Sequence, residues 1–402
     1  MFHMRLGFDR MRQAVKRLDI ARPPMTTVQV VGTNGKGSTS FFLARIAQEH
    51  GFATGLFTSP HFLTLRERIR INGRPASEEK VLEWANIVQE KCADLGLTYF
   101  ETITLIAMVG FRREGVDLAV LEAGLGGLND ATTTWDPDLL LVTPIGLDHE
   151  QIIGPGLVNI ALDKAGAVKT GSTVVSARQE PAVLVILGTA AALDRANLFL
   201  ADEQWAVPGT SGSHLQNPSE PLPALPGAHQ RTNAGLALAG WSRLCDHRGW
   251  TVRPEACRRA LADAGWPGRL QRIPGTPEFI LDGAHNPPAV KALAAALKEL
   301  EIRPAAVVFT CLQDKDLAAM APLVRAMTDG PILVPGLPTY QRTRQAAEVC
   351  QILGPRAKAV QDAAAALRET RQLSGPVLIC GSLYLLAETY AQHPEWLDCC
   401  AA

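Results

Sequence analysis

The 402-residue sequence lacks an excess of charge of either sign. Its 39 Lys and Arg residues nearly balance 40 Asp and Glu residues, which leaves a formal net charge of -1. Broad nucleic-acid and anionic-membrane surfaces are bound through an excess of positive charge. We therefore expect no nucleic-acid partner, and any anion must be bound at a local site.

Long apolar runs are also missing at the start of the chain. Residues 1–18, MFHMRLGFDRMRQAVKRL, mix charged and apolar residues throughout. A signal peptide or a membrane span needs an uninterrupted apolar core. The sequence therefore predicts a cytoplasmic protein without membrane association, and we expect it to be a monomer.

Cysteine motifs are absent as well. The eight cysteines are scattered without CxxC or zinc-knuckle spacing, so we expect reduced packing residues rather than disulfides or a zinc site. No low-complexity tract or solenoid repeat is present, and 47% of the residues are hydrophobic. Most of the chain should therefore be packed.

The length favours two domains. In the first, a β-branched run at residues 28–31 leads through a glycine-rich turn into an apolar-periodic segment at 38–48, which predicts strand, loop and helix. Apolar runs at residues 117–122 and 138–143 are typical of buried parallel strands. The first half is therefore predicted to be α/β.

A Pro-, Ser- and Gly-rich stretch at residues 207–227 predicts a surface loop. Because residues 229–244 and 254–264 look helical and the next strand is predicted only at 278–281, we place the domain boundary at 266–275. The predicted domains are residues 1–266 and 267–402. Strands of the second, smaller doubly wound domain are predicted at 305–310, 331–334 and 376–380, alternating with Ala-rich helices such as 288–300. Two such domains suggest a cleft that closes over two substrates.

Residues 32–39, Gly-Thr-Asn-Gly-Lys-Gly-Ser-Thr, form the candidate phosphate loop. Between a strand and a helix, backbone N–H groups can cradle phosphate oxygens, and Lys36 adds a positive charge. Gly37 stands where a magnesium-binding hydroxyl normally follows the lysine, so another group must supply that ligand. The alternative is a glycine-rich turn without a ligand.

The loop from Val31 to Thr39 resembles the nucleotide loop of the Mur ligase superfamily, and Lys-Gly-Ser is similar to its folylpolyglutamate synthase/dihydrofolate synthase branch. Further segments similar to this family follow in order: Thr58-Ser-Pro-His61, Glu67-Arg-Ile69, Ile71-Asn-Gly73, Phe100-Glu101, Glu122-Ala-Gly-Leu-Gly-Gly127, Asp130-Ala-Thr132, Gly146-Leu-Asp-His149, Lys164-Ala-Gly166, His229-Gln230, Asn233-Ala234, Pro267-Gly-Arg269, Asp282-Gly-Ala-His-Asn-Pro287 and Gly381-Ser-Leu-Tyr384. The resemblance implies an N-terminal P-loop ATPase-type domain, the Mur ligase central domain, and a smaller C-terminal Rossmann-like α/β domain.

The resemblance also implies the reaction. ATP converts a carboxylate to an acyl phosphate, and L-glutamate is then joined to dihydropteroate, to reduced folates, or to both. ATP and Mg²⁺ are the implied cofactors. The ATP-binding positions carried over are Asn34, Gly35, Lys36, Gly37, Ser38, Asn233, Arg269 and Asp282.

Metal-binding and catalytic positions follow from the same resemblance. Ser59, Glu122 and His149 match the metal ligands, with Ser59 in place of the hydroxyl missing at Gly37. Lys164 matches a carbamylated lysine (N6-carboxylysine), whose anionic form suits a magnesium site better than an ammonium would. A solvated or salt-bridged lysine is the alternative. Lys36, His149 and Lys164 are the implied catalytic residues.

The implied substrate positions divide into two groups. Phe100, which can pack against a flat ring, belongs with Leu6, Gly7, Thr98, Glu101, Asn129, Asp130 and Ala131 on the pteroate or folate side. His285 and Ser382 are implied on the glutamate side, although either could equally cap a helix. Leu128 departs from the family, which has an arginine there, so substrate detail stays open.

Other functions remain as alternatives. The enzyme could extend folates only, or could be another Mur-type amide ligase, although a cell-wall ligase normally carries an N-terminal nucleotide-sugar domain before its loop. A mechanical P-loop ATPase would not need the motif from Asp282 to Pro287. A dinucleotide-dependent oxidoreductase is disfavoured because no G-x-G-x-x-G follows the strand at 278–281.

Overall fold

The structure, a computed structural model, describes residues 8–201, 223–262 and 265–398. These residues divide into two compact units. The first takes the residues up to Pro223 and those from 231 to 262, and the second takes 224–230 and those from 265 onward. The predicted division at residues 266 and 267 stays a prediction.

The first unit is built on one mixed sheet. Its described strands are β1 Thr26–Val31, β2 Thr54–Phe57, β3 Ile69–Ile71, β4 Arg74–Pro75, β5 Leu118–Glu122, β6 Leu139–Val142, β7 Thr173–Ser176 and β8 Asn197–Leu200. They lie in the order β4-β3-β2-β5-β1-β6-β7-β8. Neighbours from β2 to β8 along this order are parallel, whereas β3 pairs antiparallel with both β2 and β4. Every residue of β1 is buried, because a central parallel strand is covered on both faces.

Helices cover both faces of this sheet. They are α1 Asp9–Arg17, α2 Lys36–Glu49, α3 Glu78–Cys92, α4 Tyr99–Arg113, α5 Glu150–Ile153, α6 Gly156–Ala165, α7 Pro181–Leu193, α8 Ala228–Arg248 and α9 Pro254–Ala262. One core cluster includes Phe57, Trp84 and Phe111. A Cβ at Gly110 of α4 would lie 2.5 Å from the Trp84 ring, so glycine permits the close approach of α3 and α4.

The second unit has a smaller sheet. Its described strands are β9 Gln271–Ile273, β10 Phe279–Leu281, β11 Ala306–Phe309, β12 Ile332–Pro335, β13 Ala357–Val360 and β14 Val377–Cys380, in the order β13-β12-β11-β14-β10-β9. Only β9 among them pairs antiparallel. The helices are α10 Pro287–Glu299, α11 Leu317–Met327, α12 Ala346–Leu353, α13 Ala363–Thr370, α14 Leu383–Gln392 and α15 Glu395–Asp398.

The predicted fold class is confirmed: both units are α/β, and the second has Rossmann-like parallel pairing. One prediction is wrong, because β9 precedes the strand that was expected to be the first of the second domain. β9 has three residues, of which only Ile273 is a large apolar one, and its pairing with β10 defines it. The sequence therefore offered no apolar run there. The loop predicted at 207–227 lies outside the described residues as far as 222.

Among the described helices, none combines the length and the apolar character that crossing a bilayer requires.

Candidate active site

The motif residues of the first unit follow neighbouring parallel strands. The loop at 32–35 follows β1, Glu122 ends β5, and the segment leading to His149 follows β6. Ser59 lies two residues beyond β2. Because parallel strands end at the same edge of a sheet, these segments meet at its carboxyl edge, where α/β proteins bind ligands.

Two glycines shape the loop between β1 and α2. Gly32 has a φ of 142°, and a Cβ there would lie 1.9 Å from the Thr143 hydroxyl oxygen. Gly35 has a φ of 87°, and a Cβ there would lie 2.3 Å from Oδ1 of Asn233, which is buried on α8. Both a left-handed backbone and a close neighbour therefore require glycine at these positions.

Lys36 folds back over this loop. Its Nζ donates to the carbonyl oxygens of Gly32 and Thr33, each at 3.2 Å. The Thr33 backbone N–H donates to the carbonyl of Pro144, and the Thr33 hydroxyl bonds Gly146, so the segment after β6 supports the loop. The ammonium group is thus held where the loop leads into the helix.

The first turn of α2 fits a phosphate group. A 14-residue helix begins at Lys36, so its first N–H groups point toward the loop. Ser38 is 1% exposed, and its hydroxyl has no hydrogen-bond partner in the described part of the chain. A buried hydroxyl without a partner is a group that a phosphate or its metal would satisfy.

Glu122 and Ser59 lie next to each other. Glu122 is 5% exposed, and its Oε2 accepts a hydrogen bond from the Ser59 backbone N–H at 2.8 Å.

Arg68 belongs to the family-like segment Glu67-Arg-Ile69, but no function was predicted for it from the sequence. Arg68 is buried and donates from Nε to Nδ1 of His61 at 2.8 Å. Burial lowers the pKa of Arg68, while the charge of Glu122 is among those that oppose this, which places a cation near the carboxylate.

Lys164 is buried in α6, 4% exposed. Burial, and next the charge of Lys36, lower its pKa to about 7. The backbone of Gly127 lies directly against it, since a Cβ on this glycine would be 2.7 Å from the Lys164 Cα. The structure therefore brings Lys36 and Lys164 into one electrostatic environment, with Lys164 partly neutral at pH 7.

His149 occupies the N-cap position of the four-residue helix α5, without a capping hydrogen bond from its side chain. It has a φ of 56° and precedes α5, and its backbone N–H donates to Oδ1 of Asp148 at 2.8 Å. Its Nε2 is 3.9 Å from Oδ2 of the same aspartate. The side chain is 34% exposed, so the ring remains accessible to a ligand.

A metal would need ligands beyond acidic and histidine side chains. Within residues 8–201, 223–262 and 265–398, no three His, Cys, Asp or Glu side chains group so as to hold an ion by themselves. Magnesium is commonly bound by one or two carboxylates together with substrate phosphates and water. The predicted set of Ser59, Glu122 and His149 fits that pattern and remains a prediction.

The predicted ring pocket centres on Phe100, which is half-buried on α4. A Cβ at Gly124 would lie 2.5 Å from the Phe100 ring, and the Phe57 ring centroid is 5.8 Å away. Asn129 is exposed on the same loop, whereas Ala131 is buried. Leu6 and Gly7, also predicted to bind substrate, lie outside the described residues.

Three other predicted substrate residues have structural partners. Thr98 and Glu101 form a capping box at the start of α4. Asp130 is 3% exposed and accepts hydrogen bonds from the backbone N–H groups of Gly124, Leu125 and Thr132 and from the Thr132 hydroxyl. Burial raises the pKa of Asp130, and these hydrogen bonds act in the opposite direction. Thr98 and Glu101 therefore stabilise the start of α4, and Asp130 stabilises its own loop; their contacts with substrate stay predictions.

In the second unit, the predicted residues gather at the ends of β10 and β14. Asp282 accepts from the backbone N–H groups of Leu270 and Ala284 at 2.9 and 2.8 Å. His285 donates from Nδ1 to the carbonyl of Gly283 at 2.7 Å. Ser382 is buried and caps α14 by accepting from the Tyr384 N–H.

Arg269 lies in the same part of this unit. Its Nη1 donates to the carbonyl of Gly268 at 3.2 Å, and a Cβ at Gly283 would be 2.4 Å from this nitrogen. The motif segments of the second domain are thus neighbours, and the ligand contacts of their side chains stay predictions.

Residues 268–383 match the family model described as the Mur ligase, glutamate ligase domain. Together with the phosphate loop and the buried Lys164, this match defines an ATP-dependent ligase of the Mur type.

Full-length comparisons narrow the class. The chain is 32% identical over 376 residues to the folylpolyglutamate synthase of Lacticaseibacillus casei, with 89% of this chain and 87% of the relative covered. E. coli FolC in complex with DHPP and ADP is 29% identical with a TM-score of 0.84, covering 98% of this chain and 95% of the other. A bifunctional folylpolyglutamate synthase/dihydrofolate synthase with Mn, AMPPNP and L-glutamate bound is 30% identical with a TM-score of 0.86, with 98% and 95% covered. The chain belongs to the folylpolyglutamate synthase/dihydrofolate synthase family.

Proposed function

We propose that this enzyme joins L-glutamate to dihydropteroate and to reduced folates at the expense of ATP. The observation that carries the proposal is the carboxyl edge of the first sheet, where the Lys36 loop, Glu122 and the buried Lys164 lie on neighbouring connections. This combination supplies hydrogen-bond donors for phosphate oxygens, a carboxylate, and a lysine whose pKa is lowered by burial, all at one edge of the sheet.

The reaction follows from the weakness of a carboxylate as an acyl donor. A carboxylate oxygen of the acceptor attacks the γ-phosphorus of ATP, which releases ADP and leaves an acyl phosphate. The neutral amine of glutamate then attacks the acyl carbon, loses a proton and expels inorganic phosphate. Lys36 and the first N–H groups of α2 stabilise charge on the transferred phosphoryl oxygens.

For ATP, we assign Asn34 to Ser38, with Asn233 beside Gly35, and Arg269 and Asp282 from the second domain. Ser59, Glu122 and His149 would hold Mg²⁺. A bound divalent ion neutralises phosphate charge in such reactions. The support is local: the Ser38 hydroxyl is buried without a described partner, and Glu122 is buried next to Ser59.

We assign a carbamate to Lys164. Only the neutral amine adds to CO₂, with release of one proton, and a pKa of about 7 makes the neutral amine available at physiological pH. The resulting anion offers two oxygen acceptors to the metal site. Burial supports this assignment because it disfavours the ammonium form.

The acceptor ring is assigned to the face of Phe100, with Asn129, Asp130, Ala131, Thr98 and Glu101 forming or supporting the pocket and Leu6 and Gly7 completing it. Aromatic packing binds a pterin ring irrespective of how many glutamates follow it. His285 and Ser382 are assigned to the incoming glutamate. Because a pocket built on Phe100 would bind the ring of the acceptor and not its glutamyl tail, it favours the bifunctional enzyme over one that extends folates only.

We further propose that the enzyme acts as a cytoplasmic monomer without a nucleic-acid or membrane partner. Six described cysteines are unpaired, five of them buried, as expected in a reducing compartment. The near-neutral net charge supports the absence of a polyanionic partner.

A test of the ligase assignment measures ADP release with ATP and magnesium while glutamate and acceptor are supplied separately and together. We expect sustained release over many turnovers only when both are present, because the acceptor and ATP alone release at most one ADP per active site before the acyl phosphate waits for glutamate. Equal release without glutamate would indicate a P-loop ATPase instead.

A further inference from the structure

Gln29 is a polar residue in the middle of the central strand β1. The side chain is 1% exposed, and the residues directly before and after it in the strand, Val28 and Val30, are apolar. Burying an amide is unfavourable unless its groups are hydrogen-bonded. In the described part of the chain its Oε1 has no hydrogen-bond partner, so the partners of Nε2 indicate what the residue does.

The Gln29 amide nitrogen donates to two hydroxyls after β5. Nε2 lies 2.9 Å from Oγ1 of Thr132 and 2.6 Å from Oγ1 of Thr133. Each hydroxyl has one hydrogen to donate. Thr132 donates it to Oδ1 of Asp130 at 2.6 Å, and Thr133 donates it to the carbonyl of Gly127 at 2.7 Å. Both hydroxyls must accept from Gln29, so the direction of the whole chain of hydrogen bonds is determined.

This chain ends on the glycine-rich loop at 124–127. Oδ2 of Asp130 accepts hydrogen bonds from the backbone N–H groups of Gly124 and Leu125 at 2.8 and 2.9 Å. Gly124 packs against the Phe100 ring, and Gly127 packs against the backbone of Lys164. The two glycines held at the ends of the network are thus those that contact the proposed acceptor platform and the proposed carbamate lysine.

We infer that Gln29 is a positioning residue for the acceptor half of the reaction. Through Thr132 and Thr133 it holds the loop at 124–127, and the loop in turn sets the places of Phe100 and Lys164. The inference rests on the proposed function. Gln29 touches neither substrate nor nucleotide in this role.

The central variant is Gln29→Leu, which replaces the amide by an apolar side chain of similar volume and removes both donors. We expect kcat/KM for the acceptor to fall at least about tenfold, because displacement of a positioned group by about 1 Å can cost a hundredfold. KM for ATP should rise by a smaller factor than kcat/KM for the acceptor falls, since the hydrogen bonds that hold Lys36 and Thr33 in the phosphate loop are not part of the network and only Lys164 links the network to the metal site.

Thr133 provides a conservative pair. Thr133→Val removes the hydroxyl and should reproduce the effect of Gln29→Leu, whereas Thr133→Ser keeps the hydroxyl and should recover most of the activity. Because both residues act through one network, the double variant Gln29→Leu/Thr133→Val should lose little more than the worse single variant.

Thr54→Val is the matched control for loss of stability alone. It removes another Gln–Thr bond of the same unit, from Nε2 of half-buried Gln48 to Oγ1 of buried Thr54 at 2.7 Å, at the amino-terminal end of β2, whereas Thr132 and Thr133 follow the carboxyl end of β5. This variant should lower stability to a comparable extent and leave kcat/KM for the acceptor unchanged.

Hydrogen exchange provides a second readout that does not depend on activity. Gln29→Leu should speed exchange at the amides of Gly124 and Leu125, and Thr54→Val should not. Unchanged exchange there, or an equal loss in acceptor kcat/KM for Thr54→Val, would overturn the inference. Faster exchange in a protein whose wild type shows no ligase turnover would instead refute the proposed function and leave the positioning of the loop standing.

Discussion

Lys36 and His149 contribute charge and ligands at the carboxyl edge without filling the core. The Lys36 ammonium donates to the carbonyls of Gly32 and Thr33 in the loop, and the His149 side chain is 34% exposed. We predict that Lys36→Ala and His149→Ala each lower kcat by at least about a hundredfold with little change in unfolding, because each removes stabilisation of the transition state. Steady-state kinetics and urea unfolding measure both quantities.

The control is Lys80→Ala, which removes an exposed lysine paired with Glu114 on the surface. It should retain the wild-type rate. Wild-type rates in both site variants would remove Lys36 and His149 from the mechanism.

Lys164 gives the second prediction at this scale. Its pKa is lowered to about 7, so the ammonium loses its proton as the pH rises through about 7 and the amine becomes able to add CO₂. Activity in the presence of bicarbonate should therefore rise with pH through this range. Lys164→Ala should be inactive.

Carbon-13 bicarbonate provides a direct measurement. We expect a carbamate signal in the wild type that Lys164→Ala lacks and that Lys169→Ala retains. A fully active Lys164→Ala variant, or no carbamate signal in active wild-type enzyme, would contradict the assignment.

The start of α4 is an element whose capping decides where Phe100 lies. The Glu101 carboxylate accepts from the Thr98 N–H at 2.7 Å and from Nη2 of Arg10 at 3.0 Å, and its side chain is 10% exposed. We predict that Glu101→Ala lowers the free energy of unfolding by about 2 kcal/mol, because a buried cap is lost and Arg10 is left without this carboxylate. Urea unfolding measures the loss.

Glu114→Ala is the control at the other end of the same helix. Glu114 pairs with exposed Lys80, so its removal should change stability by less than about 1 kcal/mol. If Glu101→Ala unfolds like the wild type and only raises KM for the acceptor, Glu101 is a substrate ligand and not a structural cap.

Elements with strong apolar runs could be predicted from the sequence, and elements defined by pairing could not. β1, β5 and β6 are central strands whose apolar residues show in the sequence. β8 and β13 are edge strands that were not predicted: β13 has no apolar run, and the apolar run of β8 has only three residues, which are partly or largely exposed. Gln29 was visible as a polar residue within such a run, but its partners lie more than 100 positions away in the sequence.

For the whole molecule, ordered motifs along the sequence were enough to predict the family and the α/β class. They could not supply the electrostatic environment of Lys164, since its burial and the charge of Lys36 depend on how distant segments meet. They also could not show that Asp130, predicted to bind substrate, accepts four hydrogen bonds from its own loop; the substrate contact stays a prediction. A local pattern indicates chemistry, but the division between ligand and scaffold requires the fold.

Leu128 bears directly on whether the enzyme can bind an acceptor without a glutamyl tail. The resemblance to the family implies an arginine at this position, and the Leu128 side chain is 49% exposed on the loop beside the proposed ring pocket. A lost charge-assisted contact there could weaken binding by roughly 1.5 to 3 kcal/mol. The bifunctional proposal requires that packing on Phe100 suffices to bind an acceptor without a glutamyl tail.

The most direct measurement is glutamate incorporation by the purified enzyme with ATP, magnesium and L-glutamate, followed by mass analysis of the products. With dihydropteroate as sole acceptor, we predict a product one glutamate heavier, and with a reduced folate we predict an extended glutamyl chain. Extension of the folate without any product from dihydropteroate would contradict bifunctionality. No glutamate addition to either acceptor would contradict the ligase account itself.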